Sequence, residues 1–342
     1  MSGAVLVGDV GGTHARFAVV DPETRPLRAE QRLDLPADDF ETFEAALEAY
    51  IAHIGKDLRP DAAAIGVAGP VTRGCVDFTN RDWHASEANL HKLGFSRALL
   101  INDFAAVSYA VSALAPDDFR TIGPDIEGMA EEPITVVGAG TGFGVSCLAR
   151  YRHLSMPMAT EGGHIGFAPQ GDAELAVLVA LERRFGRISV ERVLSGPGLE
   201  NLYAALQETQ GQDIASPGTN PGPRTADTGH DILSLSAADI VERAGAGDAT
   251  CRAALDMFCA IFGSVAGDFA LAHGARGGVY IAGGIAGKIE GVLRASRFRA
   301  RFEDKGRLSD YVRAIPTRLI LHDDAALLGA ALASVEFGTQ RS

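Results

Sequence analysis

None of the four cysteines in this 342-residue chain forms a Cys-x-x-Cys pair: Cys75, Cys147, Cys251 and Cys259 are scattered. That spacing gives neither a structural zinc site nor a disulfide framework, and a reduced, cytoplasmic setting is expected. The first strand pattern begins by about Ala4, so no targeting sequence is expected. No uninterrupted apolar run approaches the ~18 residues that cross a bilayer, so no membrane role is expected. Positive charge is short as well: 31 Lys and Arg against 44 Asp and Glu give a formal net charge of −13. Nucleic acids are bound by clustered Lys and Arg, so this charge argues against a nucleic-acid partner. It does not argue against a nucleotide, because Mg²⁺ and backbone N–H groups can screen a triphosphate locally.

What remains is a chain of 46% hydrophobic and 22% charged residues, globular in composition and long enough for two domains. Residues 4–7 (AVLV) and 16–20 (RFAVV) read as two strands around the glycine-rich turn of GDVGGTHARF. Apolar positions 40, 43, 47, 50, 51 and 54 follow helical spacing. AAAIGVAG (62–69) and ALLIND (98–103) are short buried strands, and 104–114 continues as a helix. Strands alternating with helices predict an α/β sheet, with ligands at the carboxyl ends of its strands. The pattern then restarts: ITVVGAGTGFGVSCLAR (134–150) repeats strand, Gly/Thr turn, strand, and implies a loose internal duplication. Further on, Asp172 is expected to cap a helix over 172–185, and Ser236 with Asp239 forms a capping-box pattern. An apolar helix is expected over 249–273, and GVYIAGGI (278–285) runs from a strand into a third glycine turn. The Gly/Pro/Ser/Thr-rich stretch 207–231 reads as a surface excursion.

The opening loop is not a G-x-x-x-x-G-K-[ST] cradle, since no Lys follows its glycines, nor a G-x-G-x-x-G turn that opens a helix. A glycine turn between strands still lets a phosphate approach the backbone N–H groups closely. Asp9 could hold a hydrated Mg²⁺ and Thr13 could donate to a phosphate oxygen; the alternative is a plain hairpin turn. Asn102 and Asp103 stand at a strand end, where a carboxylate can take a proton from a hydroxyl and the neighbouring amide can orient that hydroxyl. The alternative makes Asp103 merely a helix N-cap. Glu161 and His164 flank two glycines, a spacing foreign to the H-E-x-x-H zinc motif, and Glu191 follows Ser189 as a first-turn acid. Together, Asp103, Glu161, His164 and Glu191 suit a neutral, hydroxyl-rich substrate and would repel an anionic one.

GDVGGTHAR, INDF, GAGTGFG, EGGH, ERVLSGPGL and IAGGI, in this order from about Val5 to Leu328, resemble the bacterial ATP-dependent glucokinases. FEDKGR (302–307) and LHDDAALLGA (321–330) are similar to segments of the same family. The resemblance implies the actin/hexokinase-like (ribonuclease H-like) two-domain α/β fold with a cleft between the domains that closes on the sugar. Its smaller α/β domain would span 1–113 and 322–342, and its larger α+β domain 114–321. Carried over, glucose contacts fall on Asn102, Asp103, Glu161, His164 and Glu191, with Asp103 the general base toward the 6-hydroxyl. Asp9 would lie near Mg²⁺, with water between the carboxylate and the ion. Gly11, Gly12 and Thr13 and Gly138, Gly140 and Thr141 would hold the ATP phosphates, and Gly283 and Gly284 would lie near the adenosine. A homodimer is implied. His14 stands where the family usually has Asn, and 207–231 is longer than its counterpart. The scattered cysteines do not match the clustered-cysteine zinc motif of the neighbouring ROK kinases and repressors, and no DNA-binding extension like theirs is expected. The rival readings are a kinase of another hexose, a sugar-sensing regulator without catalysis, and an actin-like or chaperone-type ATPase.

Overall fold

The computed structural model describes residues 3–55, 58–78, 81–151, 154–209 and 235–340. Most of the predicted excursion, from 210 to 231, lies outside the described residues.

Thirteen strands are described: β1 (Val5–Val10), β2 (His14–Val20), β3 (Glu30–Pro36), β4 (Ala62–Val67), β5 (Cys75–Asp77), β6 (His84–Ser86), β7 (Arg97–Asn102), β8 (Phe119–Thr121), β9 (Ile134–Ala139), β10 (Phe143–Tyr151), β11 (Leu154–Thr160), β12 (Gly278–Ala282) and β13 (Thr317–Ile320). They form one five-stranded sheet in the order β3-β2-β1-β4-β7 and one six-stranded sheet in the order β11-β10-β9-β12-β13-β8. β5 and β6 make a separate ribbon. In the first sheet β1, β2 and β3 pair antiparallel, while β4 and β7 add in parallel beside β1. In the second, β9, β10 and β11 pair antiparallel, while β12 and β13 add in parallel beside β9. The two sheets share one topology apart from the extra edge strand β8. The duplication seen in the two glycine hairpins therefore extends to whole sheets.

Burial explains why these runs are strands. Every residue of β4, β9 and β12 is buried, as expected of inner strands covered on both faces. The edge strand β3 (EQRLDLP) keeps its polar residues outward. On one face of the first sheet, the helix Phe43–Ile54 buries Phe43, Ala46, Leu47, Tyr50 and Ile54 around Phe17. Thr42 caps this helix by accepting the Ala45 N–H at 3.1 Å. The helices Asp103–Ala110 and Ala325–Gln340 pack closely on each other, and one apolar cluster joins them to residues of both sheets, among them Val5, Val7, Ala64, Ile134, Val136 and Leu148.

The helix Ala249–His273 has the length and apolarity of a membrane span, which a search for uninterrupted apolar runs overlooks. Within its most apolar window, 78% is buried inside the protein. Phe258 and Phe262 stack edge to face there, with Phe262 also against Phe143 and Phe298, so this helix is the spine of the larger core. The capping box at Ser236 and Asp239 forms as expected. The cap expected at Asp172 does not: the helix runs Gly171–Phe185, and Gln170 occupies the N-cap position without a side-chain bond. Glu174 instead reaches back to accept the Gln170 N–H at 2.8 Å.

Candidate active site

The β1–β2 hairpin closes with the Gly11 N–H donating to the His14 carbonyl at 3.0 Å. Gly11, Gly12 and Thr13 form its tip, and a side-chain carbon on Gly11 would meet nothing within 4 Å. The β9–β10 hairpin turns through Gly140, Thr141 and Gly142, with the Gly140 N–H on the Gly142 carbonyl at 2.8 Å. The tip is held from outside by the Gly196 N–H, which donates to the Gly140 carbonyl at 2.9 Å. Space beside Gly140 is equally open. Both tips thus leave room for a ligand against the backbone. Gly283, at φ 91°, follows β12 so closely against β9 that a Cβ would lie 2.4 Å from the Ala139 carbonyl oxygen. Only glycine fits there, which places the third glycine turn beside the second.

A cleft of about 690 Å³ brings together Asp9, Asp103 and the adjacent Gly283 and Gly284 from three separate segments. Asp103 opens the helix Asp103–Ala110 where β7 ends. It is not the N-cap. Asn102 takes that role, accepting the Ala105 N–H at 3.1 Å, while its amide nitrogen approaches the Gly69 carbonyl at 3.4 Å. The capping demand that could have consumed Asp103 is met by its neighbour, which also commits the side-chain oxygen of Asn102. One oxygen of Asp103 accepts the Phe104 N–H at 2.8 Å, which fixes the carboxyl group. Burial, reinforced by the neighbouring Asp9 charge, pushes the Asp103 carboxyl up to about 7. Burial also raises Asp9, against the opposing pull of Arg16.

Glu161, His164 and Glu191 lie on a wall built onto the second hairpin. Glu161 precedes a short 3₁₀ turn, Gly162–His164, and its carboxylate lies 4.0 Å from His164 Nε2, both side chains more than half exposed. Glu191 accepts the Phe143 N–H at 2.9 Å, so its carboxylate is tied to the start of β10 and does more than complement a helix dipole. The Val190 N–H donates to the Ile165 carbonyl at 2.9 Å and joins the two segments. Asp103 is near enough to Glu161 for its proton affinity to be raised by that charge as well.

Phe104 connects Asp103 to this wall. Gly138 and Gly144 are direct cross-strand partners in β9 and β10, and the Phe104 ring fills the notch over them. A Cβ on Gly144 would lie 2.0 Å from the ring, so the notch exists only because both residues lack one.

A family model described as Glucokinase matches residues 6–336. A glucokinase of Caulobacter sp. (strain K31) is 46% identical over 337 residues, covering 98% of this chain and 96% of that protein. The chain belongs to the glucokinase family. The crystal structure of a glucokinase from an Antarctic psychrotroph superposes with a TM-score of 0.83 at 34% identity, covering 98% of this chain and 100% of that one. At the level of fold alone, a ROK-family glucokinase from Streptomyces griseus, solved in complex with glucose and AMPPNP, gives a TM-score of 0.64 at 18% identity, covering 98% of this chain and 100% of that one. The glucokinase-family chain therefore has the actin-like, two-domain α/β fold of the sugar kinases.

Sequence reasoning missed a line of charges in this glucokinase-family cleft. Arg16, the cross-strand partner of Asp9, pairs with it at 3.2 Å and with Asp34 at 3.4 Å. Arg32 grips Asp34 at 3.0 Å and reaches Asp324 at 2.9 Å. Arg32 holds the Asp34 carboxyl below the usual carboxylate range. Hairpin register alone could have found the first pair, since opposite charges directly across a hairpin attract. Among the described residues no three His, Cys, Asp or Glu form a metal cage. A single carboxylate such as Asp9 suits Mg²⁺, which commonly takes one or two carboxylates with substrate phosphates and water.

The raised Asp103 carboxyl gives a pH prediction. For Asp103 to serve as the general base that the family resemblance implies it must be ionised, so kcat/KM is then expected to fall on the acid side with an apparent pKa near 7, in a pH–rate profile of the free enzyme. An acid limb near 4 would mean that Asp103 is solvated like an ordinary carboxylate. The linked stability effect has a definite sign. The folded state holds this proton more tightly than the unfolded chain, whose carboxyl titrates near 3.8, so the group's contribution to stability declines as pH rises from about 4 to about 7.

Proposed function

We propose that the chain transfers the γ-phosphoryl group of ATP to the 6-hydroxyl of glucose. The observation that carries this reading is Asp103: a half-buried carboxylate, relieved of capping by Asn102, lying in a cleft with Asp9 and the third glycine turn. In the proposed step O6 forms a bond to the γ-phosphorus while the bond from that phosphorus to the β,γ-bridging oxygen breaks. The O6 proton passes to Asp103. Glu161, His164 and Glu191, with the amide of Asn102, orient the sugar hydroxyls. The N–H groups of the turns at Gly11–Thr13 and Gly138–Thr141 stabilise charge on the phosphates, and Gly283 and Gly284 border the adenosine. Asp9 would hold Mg²⁺ through water. When bound, the ion supplies charge neutralisation on the β- and γ-phosphate oxygens.

The 46% identity to a glucokinase over nearly the whole chain supports glucose as the substrate. The domain boundaries at 113/114 and 321/322, the homodimer and the cytoplasmic setting are proposed on family resemblance. One assay tests the central claim: ATP consumption coupled to ADP release across glucose, mannose and fructose. Glucose is expected to give the highest kcat/KM. Turnover of no sugar would overturn the reading, and preference for another hexose would replace its substrate.

A further inference from the structure

Arg81 lies outside every motif that marks the site, yet it is wired to the first glycine turn. Its side chain is only 12% exposed, with the guanidinium carbon 4.4 Å from the ring centroid of Trp83. Trp83 is buried and packs edge to face on Phe78. Each guanidinium nitrogen has its own acceptor. Nε donates to the Gly12 carbonyl at 3.0 Å, Nη1 to the Ala37 carbonyl at 2.6 Å and Nη2 to Asp38 at 2.5 Å. The Ala37 N–H in turn donates to the Thr13 carbonyl at 2.9 Å.

Two consecutive carbonyls of the turn, those of Gly12 and Thr13, are therefore both held by hydrogen bonds. In a planar trans peptide the C=O and the following N–H point in opposite directions. With the Gly12 carbonyl directed at Arg81, the Thr13 N–H points away from it, and Thr13 is exposed at the hairpin tip. A planar, permanently charged fork is suited to holding several acceptors at fixed angles, which a lysine ammonium cannot do in the same way.

We propose that Arg81 is a positioning residue for nucleotide binding: it locks the Gly12–Thr13 peptide so that the Thr13 N–H faces the nucleotide phosphates. The assignment rests on the proposed ATP site at this turn. Arg81 touches neither substrate; it acts through the peptide it holds. A residue that only stabilised the fold would, when changed, affect both substrates alike or lower Tm alone.

Arg81→Met keeps an apolar stem against Trp83 and removes all the donors, whereas Arg81→Lys keeps the charge and loses the fork. Loss of one well-aligned N–H contact to a charged phosphate is expected to raise the KM for ATP about tenfold in Arg81→Met. Arg81→Lys should give a smaller rise, with the KM for glucose and kcat within about twofold of the parent in both. Calorimetric binding of a non-hydrolysable ATP analogue should weaken by the same factors. Asp38→Asn changes only the most exposed acceptor and should leave the KM for ATP within about twofold. Unchanged ATP affinity in both Arg81 variants, or parallel loss for ATP and glucose, would overturn the proposal. A parent protein that binds no ATP analogue would overturn the underlying site itself, and that is seen before any variant is made.

Discussion

Asp103→Asn is expected to lower kcat by roughly 10²–10⁴-fold while the KM for glucose changes little. The substitution conserves size, and the amide oxygen can still accept the Phe104 N–H that the carboxylate accepts at 2.8 Å. The helix start is unaffected, because Asn102 caps it. What disappears is the capacity to take the hydroxyl proton. Stability should move in the other direction: the change removes a carboxylate that burial and Asp9 both disfavour, so Tm should rise or hold above pH 7. Steady-state kinetics with a thermal melt on the same preparation separates these effects. Full activity would remove Asp103 from the role of base.

The largest expected loss of stability lies far from the chemistry. Glu174 and Arg301 are both buried and form a two-bond ion pair at 2.5 and 3.2 Å, between the helices Gly171–Phe185 and Phe298–Glu303. Glu174→Ala leaves the Arg301 charge buried without its partner and strips the Gln170 N–H of its acceptor. Removing one member of a buried pair costs about 3–5 kcal/mol. For a domain of this order of size, that corresponds to a fall in Tm on the order of 10 °C. The paired change Glu174→Leu with Arg301→Met should recover most of the loss, because an apolar pair of similar volume needs no charge compensation. A melt of the single and double variants checks both statements. If Glu174→Ala melts with the parent, water or another group satisfies Arg301.

The two glycine hairpins were legible because apolar runs broken by Gly and Thr have few other solutions, and their repetition anticipated the repeated sheet. The choice between Asn102 and Asp103 as cap was not legible. Either side chain can cap a helix, and what decides is where β7 stops, at Asn102 opposite Val67 in β4. Asp172 failed as a cap for a related reason: the helix begins at Gly171, and Glu174 supplies the return bond from inside the first turn. Arg81 and Gly12 are 69 positions apart, and Glu174 and Arg301 are 127 apart. No local spacing encodes such pairs; they arise only when the sheets and helices have packed. Glu191 was found as a candidate, but its tie to the Phe143 N–H likewise needed the folded hairpin.

The Phe104 ring seated over Gly138 and Gly144 has a mechanical consequence. Under rotation, a point moves in proportion to its distance from the axis. If one sheet rocks against the other with this ring as the bearing, atoms beside the bearing sweep short arcs and those at the rim of the cleft sweep long ones. Asp103 directly precedes Phe104 in the chain, and Gly138 lies against the ring. The rims could then travel far enough to admit and enclose a sugar while the carboxylate and the second glycine hairpin keep nearly constant separation. A joint of that kind would let a wide opening coexist with a nearly fixed distance at the proposed base.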